Sequence, residues 1–314
     1  MRRMIAVAVA LLALPIAAQV QQGSALYEEG RFEEAKRLLA PMKNDAEALL
    51  ILGRIAMAQN DSETAADYLE KAVQLKPNSA PAHFALGQAY GNQAQSANMF
   101  KQASLATKTK SEFERAVELD PNYLDARLGL IDYYMIAPGI MGGSEDKAIE
   151  QAAEIKKRDV YYGHRAYARV YQRQKKNDLV RAEWVAAIKD QPQAAKPHVS
   201  LALYYAFTDK NYAAAWTEIE TALKLEPNWV PMQFRVGQIA AVSGQQFARG
   251  EEALRKYLAY KPKENEPDLA NTHYYLGMIY EKQGKKAEAK QSYAAAVKMN
   301  PGAKAFNEAL KRVS

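Results

Sequence analysis

The segment from His273 to Pro301 reads HYYLGMIYEKQGKKAEAKQSYAAAVKMNP. Its pattern predicts two short helices that pack against each other in antiparallel fashion. The small residue Gly277 lets the two backbones approach closely, and Tyr280 and Tyr293 fill the space beside that approach. Asn300-Pro301 ends the second helix, because the residue before a proline is biased away from the helical conformation. The segment is therefore expected to be one complete helical hairpin.

The same frame recurs upstream, where Leu-Lys-Pro-Asn, Leu-Asp-Pro-Asn and Leu-Glu-Pro-Asn are near copies of one turn, at Pro77, Pro121 and Pro227. This series resembles the tetratricopeptide repeat (TPR), a helix-turn-helix unit of about 34 residues. A phased series is far more specific than a single match. The resemblance is to exported bacterial TPR proteins. It implies an all-α fold: a right-handed TPR superhelix (α-solenoid) of about eight helix-turn-helix units with a C-terminal capping helix.

The repeat frame divides nearly the whole chain. We predict a signal peptide over 1–18 and a single TPR array over 19–314. The expected units lie near 19–45, 46–79, 80–123, 124–160, 161–194, 195–229, 230–264 and 268–302, followed by a capping helix over 303–314.

The first residues differ from the rest of the chain. A basic start at Arg2-Arg3 precedes an apolar run from Met4 to Ala18, which polar glutamines follow. This order is typical of a secretory signal peptide. The run is shorter than the roughly 20 residues that span a bilayer. We therefore expect an exported protein, periplasmic or secreted and soluble, without a stable membrane span.

Composition excludes several kinds of chemistry. The chain has no cysteine, which removes disulfides, thiolate metal sites and cysteine nucleophiles. The net charge of +6 is spread along the chain without a basic run, so nucleic acid is not an expected partner. The four histidines occupy one position of four different repeats, which favours packing over a metal or catalytic cluster. We expect no enzymatic activity, no cofactor and no metal.

Two segments depart from the repeat length. About ten extra residues lie near 91–108, and we expect them between the two helices of the third unit. The stretch 137–144, Ala-Pro-Gly-Ile-Met-Gly-Gly-Ser, replaces a short turn. It lacks the Gly-Lys-Ser/Thr ending of a phosphate-binding loop. Instead it predicts a turn with positive φ, in which Ser144 caps a helix that begins near Glu145.

Three arginines, Arg165, Arg169 and Arg173, are spaced four residues apart in the fifth unit and share one stripe of its first helix. The resemblance implies that this stripe faces the concave groove, where TPR proteins bind peptides. Two partners remain open for it: Asp132 of the neighbouring unit, or an acidic or carboxylate-terminated segment of a ligand. Corresponding slots of other units complete the predicted partner-binding set, which adds Phe84, Gln88, Leu128, Phe234 and Gln238.

The sequence thus favours a non-enzymatic scaffold that binds a protein or peptide in its groove, for an envelope or secretion-related assembly. The alternative is a carrier that holds an apolar small molecule or lipid within the superhelix. A cavity lined by aromatic and leucine side chains, including Tyr274, would favour the carrier.

Overall fold

The computed structural model describes residues 15–263 and 266–314. They divide into two compact units after Arg173, called here unit 1 and unit 2. All the regular elements of the described residues are helices, so the all-α fold class is confirmed. The boundary falls inside the predicted fifth repeat, 161–194. One uninterrupted array over 19–314 therefore stays a prediction.

Unit 1 contains nine α-helices and one short 3₁₀ segment at Gly139–Met141 among its described residues. The helices are α1 (Ile16–Glu28), α2 (Phe32–Leu39), α3 (Ala46–Ala58), α4 (Ser62–Leu75), α5 (Ala80–Ser96), α6 (Met99–Leu119), α7 (Leu124–Ile136), α8 (Glu145–Arg158) and α9 (Val160–Arg173).

Unit 2 contains eight α-helices and a π-helical turn at Tyr205–Asp209 among its described residues. The helices are α10 (Asn177–Asp190), α11 (Ala195–Tyr204), α12 (Tyr212–Leu225), α13 (Pro231–Ser243), α14 (Phe247–Leu258), α15 (Leu269–Lys282), α16 (Lys286–Met299) and α17 (Lys304–Val313). The last of these is the predicted capping helix.

In several hairpins a glycine of the first helix faces a large side chain of the second helix. A Cβ on Gly277 would lie 2.6 Å from the Tyr293 ring, and one on Gly53 would lie 2.5 Å from Leu69. Both pairs are 16 residues apart (293 − 277 and 69 − 53). The pair Gly87 and Phe113 is 26 apart, which isolates the ten extra residues of this hairpin (26 − 16). The glycines are thus required because a side chain already fills their space.

The ten extra residues are helical, which corrects the expectation that they lie between the helices. They lengthen both α5 and α6 and leave only Ala97 and Asn98 between them. Asn98 accepts a hydrogen bond from the backbone of Lys101 and so caps α6, while Gln102 donates to the Ala94 carbonyl across the tip. The segment contains no proline, and glutamine and alanine favour helix, so nothing in it ends the helices early.

The glycine-rich stretch 137–144 forms the predicted turn. Gly142 has φ +89, a conformation that glycine adopts without strain. The Ser144 hydroxyl accepts from the Lys147 backbone at the start of α8, as predicted. A Cβ on Gly143 would lie 1.8 Å from the Ala137 carbonyl oxygen, so this position also requires glycine. The Tyr133 hydroxyl donates to the Met141 carbonyl and fixes the turn against α7.

One position in the first helix of the repeats holds a tyrosine in five units: Tyr90, Tyr134, Tyr171, Tyr205 and Tyr280. This tyrosine is buried in three of the five, Tyr90, Tyr134 and Tyr280. The Tyr90 hydroxyl donates to Glu70 and the Tyr134 hydroxyl to Glu114, each 20 residues earlier. Burial, and then the Glu114 carboxylate, raises the pKa of Tyr134 to about 12, so its phenol remains a donor at neutral pH. The position therefore links successive hairpins as well as filling the core.

The last hairpin is joined to the capping helix α17 by a polar contact. Arg312 donates two hydrogen bonds of 3.0 Å to the Glu281 carboxylate, which also accepts from the Tyr293 hydroxyl. The hydrogen bonds from Arg312 hold the pKa of Glu281 below its ordinary value, although burial opposes this shift. The ionised Glu281 carboxylate therefore stabilises the folded state.

We expect acid to weaken this contact. Because the folded pKa of Glu281 is lowered, its contribution is complete above the ordinary value near 4.5 and is lost as pH falls through the folded value. Glu281→Gln should remove this part of the pH dependence and cost on the order of 1 kcal/mol at neutral pH, since Arg312 is half exposed. Urea unfolding at a series of pH values measures both. The exposed Glu288→Gln is the control, and equal pH dependence in the two variants would contradict the assignment.

The start of the described chain lies within the predicted signal peptide. Residues 1–14 of that segment lie outside the described residues, and α1 begins directly after Pro15. The proposed cleavage site after Ala18 therefore falls in the first turn of α1. Among residues 15–263 and 266–314, no helix is both long enough and apolar enough to cross a bilayer.

Candidate partner-binding site

The first helices of the hairpins form one face of unit 1. In this unit α1 packs against α3, α3 against α5, α5 against α7 and α7 against α9. The arginine stripe, defined as Arg165, Arg169 and Arg173, lies on α9, the last helix of this face. Asp159 begins α9 by accepting a hydrogen bond of 2.8 Å from the Tyr162 backbone. A Cβ on Gly163 would collide with Lys156, so this glycine permits close packing of α8 and α9.

Asp132 on α7 pairs with the stripe. The Arg169 Nε donates to one Asp132 oxygen at 2.6 Å, and a terminal nitrogen of the same guanidinium donates to the other oxygen. This is the bidentate geometry that arginine forms with carboxylates. A guanidinium nitrogen of Arg173 lies 3.8 Å from the same carboxylate. The sequence-based alternative of an Asp132 partner is therefore realised for Arg169 and Arg173.

Arg165 makes a different contact. Its guanidinium lies over the Tyr162 ring, 5.6 Å from the centroid, and its side chain is exposed. The three arginines and Asp132 together carry a net charge of +2, and Asp132 pairs with Arg169 and Arg173. Tyr167 and Tyr171 stack on the same helix with centroids 6.5 Å apart. Tyr167 and Tyr171 are offset by two residues from the arginines and so lie on the opposite side of α9. The positive cluster itself attracts an anionic group and repels a cationic one.

The other predicted residues of unit 1 lie on α5 and α7. Gln88 is exposed on α5. Phe84 is half-buried, and its ring contacts Phe113 at 5.6 Å and Tyr123 at 5.2 Å between centroids. Leu128 is buried in the core of unit 1. Of these three residues, Gln88 alone is exposed.

The predicted residues of unit 2 are part of its core. Phe234 is 2% exposed and contacts Tyr257 and Tyr275, with centroids 5.6 Å away in both cases. Gln238 is also buried, donates to the Tyr275 hydroxyl and accepts from Arg235. The prediction that these side chains line an open groove is corrected: neighbouring aromatic rings cover them. The carrier alternative needs a cavity lined by Phe234 and Leu128, but both side chains are buried against their neighbours.

The histidines make polar contacts that the sequence analysis missed. His83 lies 2.5 Å from a Glu112 oxygen through Nδ1 and 2.9 Å from the Pro77 carbonyl through Nε2. His198 contacts Glu218 in the same way, at 2.6 Å. Within the described residues no group of three or more histidine, cysteine or carboxylate side chains is placed to hold a metal ion. The contacts of His83 and His198 join helices of one unit and have a structural role.

The sequence contains a signal for these contacts, because His83 and His198 each lie six residues after the proline of a repeat turn. Arg127 donates to the Pro121 carbonyl at 3.0 Å, and Asn307 donates to the Pro301 carbonyl at 2.8 Å. The Pro77, Pro121 and Pro301 carbonyls lie two residues beyond the end of the preceding helix, so no helical hydrogen bond satisfies them. A donor at this spacing supplies a hydrogen bond and fixes the entry of the next helix.

Comparison with known proteins places this geometry in a repeat class. A model of the family described as "TPR repeat" matches residues 53–93, in unit 1, and a model described as "Tetratricopeptide repeat" matches residues 270–303, in unit 2. The chain contains tetratricopeptide repeats. A search of curated proteins finds no match for the sequence.

Solved structures show the same fold. A human IFIT1 dimer with m7Gppp-AAAA has 18% sequence identity and a TM-score of 0.53, over 92% of this chain and 70% of that one. A TPR protein from Parabacteroides merdae has 15% identity and a TM-score of 0.49, over 95% and 98% of the two chains. The Cut9 and Hcn1 assembly has 13% identity and a TM-score of 0.48, and the match spans 57% of that chain. At these identities the IFIT1 likeness supports the fold alone.

Proposed function

We propose that this TPR protein is a non-enzymatic scaffold that binds an acidic or carboxylate-terminated segment of a partner protein on the first-helix face of unit 1. The observation that carries the proposal is the arginine stripe. Arg169 and Arg173 share the Asp132 carboxylate there, and Arg165 is exposed on the same stripe, over the Tyr162 ring. A ligand carboxylate can form ion pairs with Arg165 and Arg173 and can compete with Asp132 for Arg169.

The chemistry of the stripe supports an anionic ligand. Like charges four residues apart repel by about 0.2–0.5 kcal/mol per pair. A second carboxylate relieves that repulsion, and a charge-assisted hydrogen bond is worth about 1.5–3 kcal/mol. Tyr162, whose ring lies under the Arg165 guanidinium, offers apolar surface beside the stripe for the rest of the segment.

The direct test is titration of the protein with an oligoglutamate peptide and with its oligoglutamine counterpart. The glutamate peptide should bind more tightly, and increasing salt should reduce the difference, because the contact is electrostatic and partly exposed. Equal binding of the two peptides would contradict the acidic specificity.

The proposed setting is an envelope or secretion-related assembly, after export to the periplasm or the medium. The basis is the basic start and short apolar run of residues 1–18. Mass spectrometry of the protein from envelope fractions should find a mature N-terminus at Gln19. An intact Met1 on protein found in the cytosol would contradict export.

A further inference from the structure

The tip of the α5–α6 hairpin, defined as Met99, Phe100 and Lys101, exposes more apolar surface than the fold requires. Phe100 is 90% exposed and Met99 is 77% exposed. The buried residues of α6 are further along the helix, beginning at Leu105. The tip side chains therefore contribute nothing to the core.

The hairpin also projects beyond its neighbours. The helices α5 and α6 have 17 and 21 residues, whereas α3 and α4 have 13 and 14. The four and seven extra residues add about 6 and 10 Å at ~1.5 Å per residue. The apolar side chains thus stand at the end of a prominence rather than on a flat patch.

The sequence around the tip carries only positive charges. Residues 91–111 contain three lysines, at 101, 108 and 110, and no aspartate or glutamate. Carboxylates from elsewhere come near two of them: Glu63 lies 3.5 Å from Lys101, and Glu114 lies 3.3 Å from Lys110. Exposed pairs of this kind are worth little and open readily. Lys108 lies over the Tyr90 ring, 4.8 Å from its centroid.

We propose that this tip inserts into the surface of an anionic lipid bilayer. Projecting methionine and phenylalanine side chains enter the boundary between headgroups and acyl chains, where no complementary pocket is needed. Lys101 beside them remains at the level of the headgroups and attracts negative lipids, and Lys108, further along α6, adds positive charge at longer range. A protein partner would instead need a pocket shaped to a protruding tip.

A second exposed apolar residue provides a matched comparison. Ile140 is 97% exposed, on the turn that follows α7. The residues after that turn, Glu145 and Asp146, are exposed carboxylates at the start of α8. An anionic surface attracts the tip at Phe100 and repels these carboxylates, so exposure alone does not make Ile140 an anchor.

The test uses the absence of cysteine from the chain. In Phe100→Cys and Ile140→Cys, an environment-sensitive fluorophore on the single thiol reports only its own position. The fluorescence change therefore does not include membrane binding by the apolar run of residues 4–18. With vesicles of phosphatidylcholine and phosphatidylglycerol, the label at 100 should shift to shorter wavelength and the label at 140 should not. Vesicles of phosphatidylcholine alone should produce little change.

Cosedimentation with the same vesicles gives the size of the effect. The parent's extra affinity for anionic vesicles should fall by about 10-fold to 100-fold in the double variant Met99→Ser with Phe100→Ser. Far-UV circular dichroism should be unchanged. The proposal is overturned if the label at 100 does not respond, if both labels respond alike, or if phosphatidylcholine alone is as effective. A response that depends on protein concentration without vesicles would assign the tip to contact between two copies of the chain and would also overturn it.

Discussion

Tyr257→Ala should destabilise unit 2 by about 3–5 kcal/mol, because it removes an aromatic side chain from a site without solvent access. The Tyr257 ring contacts Phe234 and Tyr260, each at 5.6 Å between centroids, and its hydroxyl donates to the Pro267 carbonyl at 2.7 Å. Truncation leaves a cavity among these groups. It also frees the segment before α15, which the hydroxyl holds against α14.

The chain allows this change to be measured in unit 2 alone. Its three tryptophans are at positions 184, 216 and 229, all in unit 2, so tryptophan fluorescence during urea unfolding reports that unit. Tyr257→Phe separates the two contributions and should cost about 1 kcal/mol for the lost hydrogen bond. Val185→Ala is the exposed control and should stay within about 0.5 kcal/mol of the parent. If Tyr257→Ala and Tyr257→Phe have similar costs, the ring is not a core element.

Arg165→Ala combined with Arg169→Ala should weaken binding of an acidic segment by about one to two powers of ten. Arg165 is exposed and Arg169 is half-buried, so the fold of unit 1 should be retained. The double variant removes the fork that pairs with Asp132 and the exposed guanidinium beside it. Titration with the oligoglutamate peptide measures the loss, which should shrink as salt increases.

Asp132→Asn tests the same site in the opposite direction. It removes the carboxylate that occupies Arg169, so oligoglutamate should bind about threefold to tenfold more tightly. Arg31→Ala with Arg115→Ala is the matched control, because it removes two exposed arginines from elsewhere in unit 1. A folded Arg165 and Arg169 variant that binds the peptide as well as this control would show that the stripe is only a solvated surface.

The repeat frame of the sequence determined the hairpins. Glycines, tyrosines and turn prolines recur in the repeat frame, and packing at each of them involves residues of the same hairpin or of a neighbouring one. Gly142 and Ser144 likewise have local roles, a positive φ and a helix cap, and both were predicted from their neighbours in the chain. Such features depend on backbone conformation and short-range spacing, which a single sequence displays directly.

Tertiary structure decided which first-helix side chains remain exposed. Phe234 and Leu128 occupy the same repeat slots as Arg165, yet both are buried, because aromatic and aliphatic side chains from neighbouring helices cover them. The ten extra residues near 91–108 lengthened two helices, and Gln102 joins the two helix ends by donating to the Ala94 carbonyl across the tip. The bidentate contact of Arg169 with Asp132 joins residues 37 positions apart. Repeat spacing made that pairing one of two alternatives, and only the packing of α7 against α9 brought the carboxylate within reach.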